Sequence, residues 1–389
     1  MNESSISGEP KATTPRDWSV LHRQVCFGES GGRIIWQPRI GCWYTDKQFA
    51  GEPLPEPYEG MSVPEIFRAL GCSDRLYNHY NGCFRESEDP RVHRTANDLG
   101  DGRTEHVIET PVGKQVAITR KTTNNWHVIH EKREVETEEE LKVATWREEH
   151  AHWGWVQDCY DRAQSEVGDL GAPTIFMPRM NVQDLYISRM GSENGIYALY
   201  DWPQTVEAFF RAREEHHEQL IDLINESPIE IINFGENVHS ATLSPEMFMK
   251  YHLPTCQRRC ERLHAAGKFV CSHWDGDCGP ILPLARETGL DGIEAITPRP
   301  QGDVTLEEIK AGLGDDMFLL DGIPAVYFDE TFSVETLVEC TQRIIELFAP
   351  KLILGISDEI SSTGDIERVR IVSDIVEDYN NGCSGEVPS

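Results

Sequence analysis

Residues 229–277 read IEIINFGENVHSATLSPEMFMKYHLPTCQRRCERLHAAGKFVCSHWDGD. Ile229–Phe234 is a short apolar run rich in β-branched residues, and a second such run, Lys268–His273, closes the stretch. Between them Ser244–Ala266 has the spacing of an amphipathic helix, opened by Ser244 and Glu246 and interrupted by Pro254, which predicts a kink. Strand, helix and strand in this order form the crossover that joins two parallel neighbours.

The same alternation extends outward in both directions. RIIWQ (Arg33–Gln37), RLYNHY (Arg75–Tyr80), TIFMP (Thr174–Pro178), GIEAIT (Gly292–Thr297), MFLL (Met317–Leu320) and LILGI (Leu352–Ile356) supply six more candidate strands. Helical stretches separate the later ones: Trp202–Asn225, Cys278–Glu287, Leu306–Ala311, Val334–Phe348 and Ile366–Tyr379, with Asp365 placed to cap the last. The expectation is an α/β chain folded as a single (β/α)8 TIM barrel over residues 21–383, preceded by a mobile, polar tail over residues 1–20. One segment breaks the pattern. HVIETPVGKQVAITRK alternates around Pro111, Val112 and Gly113 and predicts a β-hairpin inserted at about 102–134. Such a hairpin covers a barrel mouth, meets an oligomer partner or decorates the fold.

Charge and cysteine content narrow the function classes. The 66 acidic residues outnumber 36 Lys and Arg, for a formal charge of −30 that repels nucleic acid and anionic membranes. Eleven cysteines at irregular spacings do not form a disulfide framework and suit a reducing cytoplasm. The sequence has no long apolar run, and its N-terminus lacks the apolar segment of a secretory signal, so a cytoplasmic protein is expected.

Barrel chemistry comes from strand ends and the loops after them. Arg39 follows the first candidate strand and Arg179 the third. Glu236, Asn237 and His239 follow the fourth, His273, Trp274 and Asp275 end the fifth, Asp321 ends the seventh, and Asp358 and Glu359 the eighth. Carboxylates gathered with imidazole need compensation, either by a metal ion or by salt bridges with Arg39, Arg179 and each other. His273 and Asp275 alternate onto one side of their strand, as metal ligands or as a structural hydrogen-bonded pair. Glu236 and His239 sit in a turn after Gly235, where a loop-capping carboxylate is the plain alternative, and Asp358 in GISDEIS could simply start a turn. Trp36, Trp274 and Tyr186 are candidate pocket walls. His216 and His217, among glutamates in mid-helix, are expected on a solvated face.

The run ENVHSATLSPEMFMKYHLP from Glu236, the apolar strand ending at His273 with Gly276 and Asp277 after it, GIPAVYF from Gly322, and LILGISDEI from Leu352 together resemble the uroporphyrinogen-decarboxylase superfamily. The resemblance covers most of the chain from about residue 170 onward, with a weaker echo at Thr110–Gly113. It implies one of two activities. The porphyrinogen decarboxylases are metal-free and use an arginine-rich N-terminal segment, where this chain offers only Arg39. The corrinoid-dependent methyltransferases hold zinc through a His-x-Cys-Gly pair and a later cysteine; here His273 and Gly276 match, Asp275 replaces the first cysteine and Asp358 the second. Carboxylates leave the metal harder than thiolates do, and suit a substrate oxygen or nitrogen. The related demethylases imply Glu236 as a further ligand or proton acceptor, though their second glutamate is absent near Tyr251 and His252.

The expectation is therefore a metal-dependent methyltransferase or demethylase. Zinc, manganese or iron would be held by His273, Asp275, Asp358 and Glu236, with Glu236, His273 and Asp275 catalytic and Trp36, Arg39, Tyr186, His239, Trp274 and Asp321 binding a small O- or N-methylated substrate. No DxHxxG cobalamin motif occurs, so a corrinoid must arrive on a partner protein. The chain is also expected to pair as a homodimer, as barrels of this resemblance do. The alternatives are a decarboxylase-like lyase without corrinoid and a non-catalytic, ligand-binding barrel.

Overall fold

The computed structural model describes residues 17–123 and 127–383. Most of the expected N-terminal tail lies outside these residues. The described part begins with a helix, Trp18–Cys26, capped by the Asp17 side chain on Val20 N, so the body of the protein starts slightly before residue 21.

Strand β1 (Ile35–Trp36) leads into an excursion of six strands: β2 (Phe84–Ser87), β3 (His93–Gly100), β4 (Arg103–Thr110), β5 (Gly113–Lys121), β6 (Val128–Lys132) and β7 (His152–Trp155). The chain then returns through β8 (Thr174–Met177), β9 (Ile231–Val238), β10 (Phe269–Trp274), β11 (Gly292–Glu294), β12 (Phe318–Pro324) and β13 (Leu352–Ser357). β1 and β8 to β13 form one parallel sheet of seven strands in the order β1-β13-β12-β11-β10-β9-β8. It is curled and TIM-like, and it is not a closed barrel.

The gap falls where the second strand was expected. Within RLYNHY, Tyr77–Tyr80 is a helix, and Tyr77 and Tyr80, three residues apart, are its buried pair. That is a helical spacing in a segment without strand alternation. The short stretch before it bridges the opening: Ser73 N donates to Trp36 O at 3.0 Å and Asp74 N to Leu170 O at 3.0 Å. On the far side the Asn81 side chain accepts from Phe176 N at 2.8 Å and satisfies the edge of β8.

The βαβ unit read from residues 229–277 is present, with β9 and β10 paired in parallel. Ser244 caps its helix by accepting from Met247 N at 3.3 Å. The expected kink takes the form of a π-helical turn, Phe248–His252, with the regular helix Leu253–Ala265 starting beside Pro254. Asp365 caps the last helix, accepting from Glu367 N at 2.9 Å.

The insertion is larger than a hairpin. β4 and β5 are the expected pair, turning at Thr110–Gly113, but β3 and β6 flank them in a four-stranded antiparallel sheet. β3 is exposed along its whole length, so its sequence carries no apolar alternation to mark it. β2 and β7 form a separate antiparallel ribbon at the base of the insertion. No helix among the described residues is long and apolar enough to cross a membrane.

Candidate functional site

The interior of the curled sheet is charged near its C-terminal end. Glu294, at the end of β11, accepts from Asn233 Nδ2 at 2.6 Å, shares 3.0 Å with His273 Nδ1 and is paired with Arg75. Arg75 also holds Asp321 at 2.6 Å. All five side chains are buried. Burial opposes the charge on Glu294, but the Arg75 guanidinium and the His273 hydrogen bond outweigh it and hold the carboxyl well below its usual range. Gly355 is required here, because a Cβ would collide with the Asp321 carboxylate and come within 3.0 Å of Arg75. An ionised Glu294 accepts a hydrogen bond from His273 Nδ1–H, the tautomer of a neutral ring that leaves the lone pair on Nε2.

His273 lines a cavity of about 490 Å³ at the strand ends. Arg39 after β1, Arg179 after β8, Glu236 and Asn237 of β9, and Asp358 after β13 share it. The inserted ribbon closes one wall with Phe84 and Trp153. Glu236 Oε1 accepts from Met180 N at 2.8 Å, while Oε2 is buried without a partner. Burial pushes this carboxyl up to about 7. Ala295, Asp321 and Asp358 adopt positive φ (68°, 79° and 70°) along or just after β11, β12 and β13, so backbone strain gathers at the same mouth.

Of the expected site residues, Glu236, His273, Arg39 and Asp358 meet at this cavity. The expected metal set does not assemble. Among the described residues no three of His273, Asp275, Asp358 and Glu236 bring donor atoms within 4.8 Å of one another. Asp358 turns outward, its side chain 55% exposed and 3.6 Å from Arg39. Asp275 accepts from Asn237 at 3.3 Å, and His273 is committed to Glu294 on its other nitrogen.

Five expected substrate contacts lie elsewhere. Trp36 is buried in the core, and Trp274 faces the helical layer, edge-on to Phe248 at 5.5 Å. Tyr186 is buried in the π-helical turn Asp184–Met190. His239 pairs with Thr242 at 3.2 Å, and Asp321 stands behind the cavity on Arg75. Glu294, Arg75 and Asn233 had no assigned role in the sequence. For Glu294 and Asn233 the signal was present: a carboxyl and an amide inside the apolar runs GIEAIT and IEIINF.

His216 and His217 are buried, contrary to a solvated face. The insertion supplies the cover that the helix sequence could not reveal: the His216 ring stacks on Trp153 at 5.6 Å. His216 Nδ1 lies 2.9 Å from Glu148 and 3.7 Å from Glu86. These three residues form the described group that could hold a metal ion. Glu148 also receives Arg189 and Arg213, each at 2.8 Å.

No known protein family and no curated protein sequence matches the chain. Solved structures do. A methyltransferase from Methanosarcina mazei superposes with a TM-score of 0.56 over 94% of this chain and 99% of its own, at 12% identity. A B12-independent methionine synthase from a Shewanella species scores 0.39 over 82% and 86%, at 11% identity. At 12% identity the first likeness concerns the fold alone, and the second is too weak to carry an argument.

Proposed function

We propose that the protein is a methyltransferase or demethylase that takes a methyl group from a small O- or N-methylated substrate in the strand-end cavity. The observation that carries this is Glu236 Oε2, an unpartnered carboxyl oxygen in a cavity shared with the His273 ring. Loss of a methyl group leaves a basic oxygen or nitrogen that must be protonated, and a buried carboxyl near 7 keeps a proton available at neutral pH. The C–heteroatom bond breaks, the Glu236 proton passes to the heteroatom, and the methyl group leaves for an acceptor. His273, oriented by Glu294, walls the cavity beside Glu236 and fixes the position of the substrate.

The acceptor in this proposal is a corrinoid on a separate protein, which supplies a nucleophilic cobalt when presented at the mouth. A cavity of about 490 Å³ fits a small substrate and leaves the corrinoid outside. The zinc, manganese or iron expected from the sequence does not fit the His273, Asp275, Asp358 and Glu236 set, so no step here runs through it. We place a metal instead at Glu86, Glu148 and His216, where it would fasten the inserted ribbon.

Purified protein mixed with reduced cobalamin and a panel of methylated amines, ethers and acids tests the reaction. Methylation of the corrinoid, about 100-fold slower with Glu236→Gln, is expected. A lyase is the second reading, favoured by the cations Arg39 and Arg179 beside the same proton donor. Carbon dioxide release without corrinoid methylation would replace the first reading by that one.

A further inference from the structure

The cavity is richer in unsatisfied donors than in acceptors. Arg39 Nε and Nη1, Arg179 Nε and Trp153 Nε1 are buried without hydrogen-bond partners, against the single oxygen of Glu236. The acidic neighbours of Arg39 stand off, Asp358 and Glu359 each at 3.6 Å, although its side chain is only 12% exposed. Arg179 is built to point: its Nη2 donates to Asn237 at 2.7 Å, and its own carbonyl is held by Arg213 at 2.9 and 3.1 Å. Buried guanidinium N–H groups left without acceptors are costly, and one such donor from each arginine can meet the two oxygens of a carboxylate.

The aromatic wall is equally rigid. Phe84 packs on Trp155 at 5.1 Å, Trp153 on His216 at 5.6 Å, and Phe176 on Tyr77 at 3.9 Å. Each ring thus has a neighbour behind it and lines the cavity in front. Such faces accept methyl groups, and methylated ammonium best of all.

We infer that the substrate is a methylated carboxylic acid, its carboxylate gripped by Arg39 and Arg179 and its methylated oxygen or nitrogen set against Phe84, Trp153 and Phe176. A monoanion fits better than a phosphate dianion, because Asp358 shares the cavity and repels added negative charge. The inference names the substrate class of the proposed methyl transfer and rests on that reading for the methylated end. The carboxylate grip stands on the orphaned donors alone.

Isothermal titration calorimetry decides it, with glycine betaine and methoxyacetate set against their uncharged-end counterparts choline and 2-methoxyethanol. At least one acid should bind tenfold or more tighter than its counterpart, and Arg179→Gln and Arg39→Gln should each weaken it about tenfold with an unchanged circular dichroism spectrum. Acids that bind no tighter than their counterparts overturn the inference, as does an Arg179→Gln variant with full affinity. If Arg39→Gln fails to fold, the wild-type comparison and Arg179→Gln still decide. Which acid wins separates an N-methyl from an O-methyl substrate. Acid binding without methyl transfer sinks the proposed reaction and keeps the grip, whereas methyl transfer with no carboxylate preference does the reverse.

Discussion

His273 and His216 are built alike. Each sets Nδ1 on a buried glutamate, at 3.0 Å to Glu294 and 2.9 Å to Glu148, and each glutamate is backed by arginine. They differ on the other side of the ring. His273 ends a strand and opens on the cavity, while His216 lies in mid-helix with Nε2 buried and unpartnered beneath Trp153. The same pair thus serves as a primed group at a strand end and as a fastening under the insertion. Position in the fold, and not the pair itself, decides which.

The largest expected effect separates the two glutamates. Glu294→Ala strands Arg75, His273 and Asn233 together, with only Asp321 left for Arg75, and should cost about 3–5 kcal/mol. Glu148→Ala leaves Arg213 on Asp184 and the Arg179 carbonyl, and Arg189 on Glu134 and Asp184. Its cost should be about 1–3 kcal/mol. Urea unfolding of both variants measures the difference. Equal losses would show that the two pairs bear the same load.

How far the sequence could see follows the same division. The strands β8 to β13 and most of their helices are legible because apolar runs alternate with amphipathic stretches, although the helix expected at Cys278–Glu287 is only a 3-10 segment, Leu282–Glu287; Glu236 and His273 stand directly at the ends of such runs. RLYNHY misleads because a barrel position can be filled by a non-strand segment whose backbone bonds are made by Ser73 and Asp74. β3 leaves no mark because its side chains are solvated on both faces, and β6 because only its last residue, Lys132, is half-buried. Asp275 and Asp358 stand beside His273 and Arg39 in sequence or space, yet their directions are set by Asn237 and by a left-handed turn. His216 reads as solvated because the ribbon that covers it arrives from a distant part of the chain, and His217 because it packs on Arg259 of another helix.

A second test concerns Glu236, the buried acid of the cavity. Its folded value of about 7 lies above the ordinary 4.5, so the folded state holds the proton more tightly than the unfolded chain. The sign follows: the associated stability is complete below 4.5 and is lost as pH rises through 7, a change of about 3 kcal/mol. Glu236→Gln should lack this component and be the more stable protein at pH 8. Parallel stability curves from pH 4.5 to 8 would mean that Glu236 is solvated and cannot serve as a neutral proton donor. A Glu294→Gln control should keep the wild-type slope, because it retains Glu236 and removes a carboxyl that Arg75 and His273 hold ionised through the range.

The smallest effect asks which histidine holds a metal. Two carboxylates and an imidazole suit manganese or iron as well as zinc, and manganese is the better probe because eleven thiols would bind zinc in the unfolded chain. Arg189 and Arg213 already occupy Glu148 Oε1, so only Oε2, Glu86 and His216 Nδ1 remain for the ion, and the two cations weaken its binding. At a free manganese concentration tenfold above the dissociation constant, the wild type should gain about 1.4 kcal/mol in unfolding free energy. His216→Ala loses some stability of its own by leaving Trp153 without its stacking partner, but the readout is the increment on adding manganese, which should vanish in this variant. His273→Ala should keep the full increment. An increment lost in His273→Ala and kept in His216→Ala would move the metal to the cavity and return a Lewis acid to the proposed methyl transfer.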